Sequence, residues 1–333
     1  MKGSVPPQLL DVIRREKLIC ILGHADPDGD CIGAQVALGH FLRRIGKEAV
    51  LLSPGPFERP EIRGYEGQFA SSLEPQLRAR RPTAIVLDCS SLDRIGDLAR
   101  DIAGLPVIVV DHHSAGRGFG EITYIDDSAP SVTLLVQRIM EELGYAPDAE
   151  EAQLLLFGLC TDTGFFRHID SRDESVFEAI ARLNGAGATP KQVYSMIYAG
   201  RPLASRILLG NVLARTDALF GGRILFTYET LEDKRTYGSQ NRDSDSLYQL
   251  LQASAGCEAV IFIREEDEES CSVGLRSNTA LDVGAIAQRF GGGGHRKAAG
   301  FRWVGGREEA KAKLVATLSS LLGALPDGAP ITS

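Results

Sequence analysis

The stretch LICILGHADPDGDCIGA, residues 18–34, decides how the chain folds. Leu18–Leu22 is a short, continuous apolar run that includes Ile19 and Ile21, and such a run suits a strand buried on both faces, as in a parallel sheet. The polar segment that follows, Gly23 to Asp30, carries His24, Asp26, Asp28 and Asp30. Ile32, Val36, Phe41, Leu42 and Ile45 then recur at helical spacing, and Arg43, Arg44 and Gly46 mark the helix end. A buried strand, a polar turn and a helix in that order form the first half of a βαβ unit.

The theme repeats further along. Ala84–Leu87 (AIVL) leads directly into Asp88, and Val107–Val110 (VIVV) into Asp111, His112 and His113. Ser131–Leu143 is expected to be an amphipathic helix. Asp148–Cys160 suits helix or strand by apolar content alone, and Asp148 with Glu151 three residues on, a capping-box pair, selects helix. Alternating strands and helices predict an α/β domain with a doubly wound parallel sheet.

Between Pro190 and Pro202 the pattern breaks, with Gly185, Gly187 and Gly200 around it. Beyond it, Ile224–Thr227, Ala259–Ile263 and Cys271–Arg276 read as strands, and Asp282–Phe290 and Arg307–Leu322 as helices, which predicts a smaller α+β domain. Arg264–Glu269 (REEDEE) reads as a solvated hairpin tip. The expected organisation is a first domain over 1–190, a linker over 191–205, a second domain over 206–325 and a flexible tail over 326–333.

Composition narrows the function. The 333 residues are 44% hydrophobic and 24% charged, with a net charge of −8, so most of the chain has core enough to fold. Long duplex nucleic acid needs a broad basic footprint, and this balance argues against one. The longest apolar run, Leu154–Cys160, falls far short of the roughly 20 residues of a membrane helix, so no membrane partner is expected. Six scattered cysteines without a CxxC pair read as buried thiols of a reducing cytoplasm.

The placement of acids and histidines carries the chemistry. In a parallel sheet all strand C-termini share one edge, where open α/β sheets bind ligands. Three strands therefore deliver His24 to Asp30, Asp88, and Asp111 to His113 to one rim, and Asp162, after the apolar helix, approaches it from above. A lone aspartate after a strand is an ordinary turn residue, and a lone histidine pair an ordinary surface feature. Four such clusters together are neither. So many close carboxylates repel one another and protonate unless cations hold them. An oxygen-rich set with some imidazole favours Mn²⁺ over Zn²⁺ or Ca²⁺, with Mg²⁺ or Co²⁺ as substitutes. The ligands outnumber the needs of one ion, which points to two ions sharing a carboxylate, an arrangement suited to phosphate ester hydrolysis.

These residues resemble the DHH phosphoesterase superfamily, named for the Asp-His-His triplet found here at 111–113. The resemblance covers HADPDGDCIGA (24–34), LDCSS (87–91), DHH (111–113) and TDTG (161–164). It extends to GLRSN (274–278) and FGGGGHRKAAGF (290–301), which are similar to the associated DHHA1 substrate-binding domain. The branch resembled most is the stand-alone nano-RNase type, similar to bifunctional oligoribonucleases and 3′-phosphoadenosine 5′-phosphate phosphatases. The resemblance implies that His24 and Asp28 bind a first metal, that Asp30, His112 and Asp162 bind a second, and that Asp88 bridges them. Asp26 and Asp111 would orient ligands, and His113 would face the scissile phosphate as a charge stabiliser or acid. Arg276 and Ser277 would grip phosphate, with Gly292, Gly293 and Gly294 of the run Gly291–Gly294 offering backbone amides and His295 a further donor; Arg167 is a further phosphate contact.

The function this implies is Mn²⁺-dependent release of 5′-mononucleotides from very short RNA, in either direction, with 3′,5′-bisphosphoadenosine as a second substrate. The expected mechanism is in-line attack by a hydroxide bridging two metals, with the C-terminal domain closing over a cleft between the domains. Linear or cyclic dinucleotide phosphodiesterase activity is the enzymatic alternative, and a non-catalytic nucleotide-binding module the other. The partners expected are short oligoribonucleotides, dinucleotides or nucleoside bisphosphates, and the chain is compatible with a homodimer.

Overall fold

The computed structural model describes residues 4–113, 118–169 and 174–322, so the expected tail over 326–333 lies outside the described residues. The chain divides into two compact units, Met1–Gly200 and Arg201–Ser333. In the first unit, β1 (Leu18–Leu22), β2 (Glu48–Leu52), β3 (Thr83–Leu87), β4 (Val107–Asp111) and β5 (Ile122–Ile125) form a sheet in the order β2-β1-β3-β4-β5. Every neighbouring pair is parallel. Both β1 and β3 are buried along their whole length. Ile19, Ile21, Ile85, Leu87, Ile108 and Val110 point into one core, while Cys20, Leu22, Ala84, Val86 and Val109 point into another on the opposite face. Continuous apolar strands are thus the signature of a sheet covered on both sides.

The helices of this unit are α1 (Pro7–Arg15), α2 (Gly29–Arg44), the short α3 (Pro60–Arg63), α4 (Pro75–Ala79) and α5 (Leu98–Asp101), then α6 (Val132–Glu142), α7 (Ala149–Asp162), α8 (Glu174–Gly185) and α9 (Pro190–Tyr198). The larger core takes its apolar residues from α1, α2 and α6 to α9, and the smaller one uses Leu98 of α5 with Ile95 and Ile102. The Asp148–Glu151 capping box is present: Glu151 N–H donates to Asp148 Oδ1 and Asp148 N–H to Glu151 Oε2, each at 2.9 Å. Arg44, at the end of α2, forks onto the same buried Glu151 at 2.9 and 2.8 Å. One carboxylate therefore starts α7 and ties it to α2.

Residues 191–198 of the expected linker belong to the helix α9, and the irregular connection shortens to residues 199–202. Pro190 sits at the first helical position, where its missing N–H costs nothing, so it opens the helix and does not break it. Buried Val193, with Met196 and Ile197, packs α9 on the core.

The second unit holds a mixed sheet in the order β10-β11-β9-β8-β7-β6, built from β6 (Asp217–Leu219), β7 (Ile224–Glu229), β8 (Ala259–Glu265), β9 (Ser270–Ser277), β10 (Gly293–His295) and β11 (Ala298–Val304). Its helices are α10 (Leu203–Ala214), α11 (Leu231–Tyr237), α12 (Ser244–Gln252), α13 (Val283–Arg289) and α14 (Arg307–Leu322). Residues of α13 and α14 bury Ile261, Ile263, Val273 and Leu275, while α10 and α12 cover Leu225, Val260 and Phe262. In the acidic hairpin between β8 and β9, Arg264 and Glu265 pair with Ser272 and Cys271, so the exposed tip narrows to Asp267–Glu269. Among the described residues no helix is long and apolar enough to cross a membrane. All six cysteines are buried.

Candidate metal centre

With the strand order β2-β1-β3-β4-β5, the chain leaves β1 toward one edge and β3 toward the other, which opens a crevice at their carboxyl ends. His24 and Asp28 follow β1, Asp88 follows β3, and His112 follows β4. Asp28 caps α2, accepting the Asp30 and Cys31 N–H groups at 3.1 and 3.0 Å through Oδ1 and leaving Oδ2 turned toward His24. Asp30 is wholly buried in the first turn of α2 and meets the N-terminus of α6. Its Oδ2 accepts from Val132 N–H at 2.7 Å, and its Oδ1 from the Thr133 N–H and hydroxyl at 3.1 and 2.7 Å. A close approach of α2 to α7 brings Asp162 to the same place. A Cβ on Gly33 would lie 2.8 Å from the Leu154 carbonyl oxygen, and one on Gly158 would collide with Thr133, so only glycine permits this spacing.

Two groups of candidate ligands meet at Asp88. His24 Nε2 lies 3.3 Å from Asp88 Oδ2 and 3.9 Å from Asp28 Oδ2. His112 Nε2 lies 3.4 Å from Asp88 Oδ1, 3.3 Å from Asp162 Oδ2 and 3.9 Å from Asp30 Oδ2. Asp88 thus turns one oxygen to each imidazole. Its backbone is left-handed, with φ of 58°, a conformation sparsely populated by residues other than glycine. Both imidazoles present Nε2 because Nδ1 faces a main-chain carbonyl, that of Ala25 at 2.8 Å for His24 and that of Ala129 at 3.2 Å for His112. This fixes the tautomer a metal ligand needs.

The electrostatics are those of an anionic cage. Burial works against charge on His24, but hydrogen bonds to Asp88 and Cys31 outweigh it and push the pKa up to about 12. Burial likewise opposes charge on His112, and Asp88, Asp30 and Asp162 together lift it to about 10. Burial with the neighbouring carboxylates raises Asp162 to about 6 and holds Asp30 well above the usual carboxylate range. Asp88 stays ionised despite its burial, held far below that range by the two imidazoles. Its Oδ1 is nevertheless buried without a hydrogen bond. An orphaned carboxylate oxygen among two imidazoles and three further carboxylates fits divalent cations, which would displace the protons these groups otherwise keep.

His113 stands beside this centre, half-exposed. Asp111 accepts its Nδ1–H at 2.7 Å, together with the N–H groups of His112 and His113, and this pairing raises the His113 pKa. Burial opposes the Asp111 charge, and the bonds from His113 and Ser90 overcome it to lower its pKa. Asp26 is exposed in a left-handed conformation; neither it nor Asp28 joins the tightest groups of metal-binding side chains among the described residues, where Cys31 stands with His24 and Asp88. Ser90, the amides of Val132 and Thr133, and the Cys31 thiol beside His24 were not singled out from the sequence. Ser90 and Cys31 had signals, Ser90 standing two residues after Asp88 in LDCSS and Cys31 lying within HADPDGDCIGA.

In the second unit, Arg276 and Ser277 end β9. Arg276 lies over the Tyr248 ring, 4.4 Å from its centroid, and the Ser277 hydroxyl is drawn into the turn to Thr279. Ala298 pairs with both Arg276 and His295, so those two side chains share one face of the sheet. Main-chain geometry accounts for much of the glycine run. Gly291, with φ of 77°, ends α13 in a Schellman turn, its N–H bonding Gln288 O at 3.1 Å and that of Gly292 bonding Ala287 O at 3.0 Å. A Cβ on Gly292 would collide with Gly300 and Phe301, and one on Gly294 with Ala298 and Ala299. A Cβ on Gly291 or Gly293 would meet open space, and Gly293 lies on an edge strand with one side unpaired by the sheet. Arg167, five residues past Asp162, is exposed and lies against His168, 3.2 Å away.

A doubly wound sheet with carboxylates and imidazoles gathered on its switch-point edge defines a metal-dependent phosphoesterase. The comparisons with known proteins make the assignment particular. Residues 18–159 match the model of the DHH family N-terminal domain, and residues 226–324 that of the DHHA1 domain. The bifunctional oligoribonuclease and PAP phosphatase NrnA of Thermus thermophilus is 32% identical over 85% of this chain and 83% of its own. Its namesake from Bacillus subtilis is 23% identical over 88% and 91%. A crystal structure of an exopolyphosphatase-related protein from Bacteroides fragilis superposes with a TM-score of 0.82 at 25% identity, covering 95% of this chain and 97% of that one. The chain belongs to the DHH family, with a DHHA1 domain following the DHH one.

Proposed function

We propose that the protein hydrolyses very short oligoribonucleotides to 5′-mononucleotides and 3′,5′-bisphosphoadenosine to AMP, with Mn²⁺ as the metal. One observation carries this reading: Asp88 offers an oxygen to each of two imidazole-bearing ligand groups at 3.3 and 3.4 Å. On it, His24, Asp28 and Asp88 would hold one ion, and Asp30, His112 and Asp162 with Asp88 the other. A pair of divalent ions so held supplies a nucleophile from water at neutral pH and neutralises the phosphate oxygens.

The two substrates share one chemistry. Releasing a 5′-mononucleotide and removing a 3′-phosphate both break the bond from phosphorus to O3′. Water adds its oxygen to phosphorus, and O3′ departs with a proton. His113 supplies that proton. Asp111 holds Nδ1–H at 2.7 Å and favours the cationic ring, which leaves Nε2–H as the donor. Arg276, Ser277, His295 and the glycine run from Gly293 to Gly294 offer donors to a further phosphate, whereas the Gly292 N–H is taken by Ala287 O; Arg167 is a further phosphate contact. Names borne by the relatives from T. thermophilus and B. subtilis support this choice of substrates.

The test is a panel with Mn²⁺: 3′,5′-bisphosphoadenosine, linear and cyclic dinucleotides, and RNAs from two to about twenty nucleotides, a range bracketing one to a few single-strand binding modules. Fastest turnover of the shortest RNAs with release of 5′-mononucleotides, lost in Asp88→Ala, is the expected result. Preference for a cyclic dinucleotide, or activity that survives Asp88→Ala, overturns the proposal.

A further inference from the structure

The chain has 13 phenylalanines, eight tyrosines and one tryptophan, and five of these rings collect next to the metal-ligand candidate Asp162. Phe165 lies 5.3 Å from Phe166, 5.7 Å from Tyr194 and 6.5 Å from Tyr198; Tyr194 lies 4.8 Å from Tyr198; and Phe166 lies 6.4 Å from Phe177. Phe165 is three residues from Asp162, so their Cα atoms are at most roughly 11 Å apart. The turn between them is tight: Phe165 N–H donates to Cys160 O at 2.7 Å and Phe166 N–H to Thr163 Oγ1 at 3.0 Å.

Core packing explains only part of this cluster. Phe165 and Phe166 touch the core from a half-buried position, and both have a left-handed backbone, with φ of 58° and 71°, which bulky side chains rarely adopt. The outer rings are open, with Tyr194 56% exposed and Phe177 49% exposed. A turn that holds a metal-ligand candidate in place thus also holds two aromatic rings in a sparsely populated conformation, under a second tier that faces solvent. Arg167 leaves the same turn and is near enough to influence the Tyr198 hydroxyl. Aromatic faces beside a cation, within one nucleotide's reach of a phosphate site, are what an unpaired base with its phosphate requires.

We infer that this ring cluster is the stacking platform for the nucleobase adjoining the scissile phosphate, with Tyr194 presenting the ring face. The inference rests on the phosphoesterase reading and adds a recognition element for the base, provided by the metal-bearing unit itself. Stacking accepts any base, since every base has a π-face, so the platform favours base-bearing substrates without selecting sequence.

The experiment compares kcat/KM for 3′,5′-bisphosphoadenosine with that for ribose 3,5-bisphosphate lacking a base, in the Mn²⁺-loaded full-length protein. The wild type should prefer the base-bearing substrate. In Tyr194→Ala and Tyr194→Leu that preference should fall roughly 5- to 150-fold, the range for losing one base–ring stack. Tyr194→Phe should retain it, because the ring remains; leucine separates a ring requirement from apolar cover. A preference unchanged in both Tyr194→Ala and Tyr194→Leu overturns the platform and leaves the phosphoesterase reading standing. Hydrolysis of neither substrate by the wild type overturns both.

Discussion

Replacing Asp88 by asparagine keeps the shape of the side chain and removes the one charge lying between two imidazoles. His24 Nε2 is 3.3 Å from one of its oxygens and His112 Nε2 is 3.4 Å from the other, both within a buried site. At an effective dielectric constant of about 20, each contact is worth about 5 kcal/mol, or between three and four pKa units. Loss of a negative charge destabilises the cationic ring, so both pKa values must fall. In the metal-free protein His24, near 12, should drop to about 8, and His112, near 10, to about 6. The folded-state values exceed the unfolded one of about 6.5. Their stabilisation is therefore complete below that pH and is lost as the pH rises through the folded pKa values. In the variant His24 should lose it several units earlier, and His112, no longer above the unfolded value, should contribute none. Imidazole NMR titration of the EDTA-treated protein reads the pKa values, and urea midpoints from pH 6 to 10 read the linkage. Histidine pKa values that move by less than one unit would refute the shared-carboxylate geometry.

Three further outcomes follow from single contacts. Glu151→Ala should lower stability by about 2–4 kcal/mol in urea unfolding, because it removes half the capping box of α7 and leaves Arg44 without its buried partner. Gly292→Ala should destabilise the second unit by about 1–3 kcal/mol, since its methyl group would enter Gly300 and Phe301, whereas Gly293→Ala, facing open space, should leave the melting temperature nearly unchanged. Asp126 is buried, which works against its charge, but bonds from Ser128 and from Arg138 at 2.7 Å depress its pKa. Its contribution is present above the unfolded value of about 3.9 and is lost as the pH falls through the folded one, so Asp126→Asn should flatten the decline in urea midpoint between pH 5 and 2.

How much of this was legible in the sequence varied with the range of the signal. Leu18–Leu22 is a strand with the bounds its composition suggests, since burial on both faces leaves no polar position inside it. Asp148 and Glu151 decided a helix that apolar content could not, because capping is a contact between residues three apart. The histidines and aspartates that gather at the sheet edge could be named in advance because each follows an apolar run and a parallel sheet aligns those ends. Interactions across long separations were not legible. Nothing local in Asp30 announces that it takes the first amides of α6, more than a hundred residues on. The glycine run reads only as a source of backbone amides, because its pairing with Ala298–Gly300 makes Gly293–His295 a strand only once the hairpin has closed. The aromatic cluster had partial signals in Phe165–Phe166 directly after TDTG and in Tyr194 and Tyr198 one helical turn apart, but their meeting depends on how α9 lies against the end of α7.

Anomalous diffraction from crystals grown with manganese tests the centre most directly. Two peaks should flank Asp88, one bonded to His24 and Asp28 and the other to Asp30, His112 and Asp162, about 3.5–4 Å apart as in other two-metal sites. A single peak, or peaks bound to neither imidazole, would contradict the shared role given to Asp88.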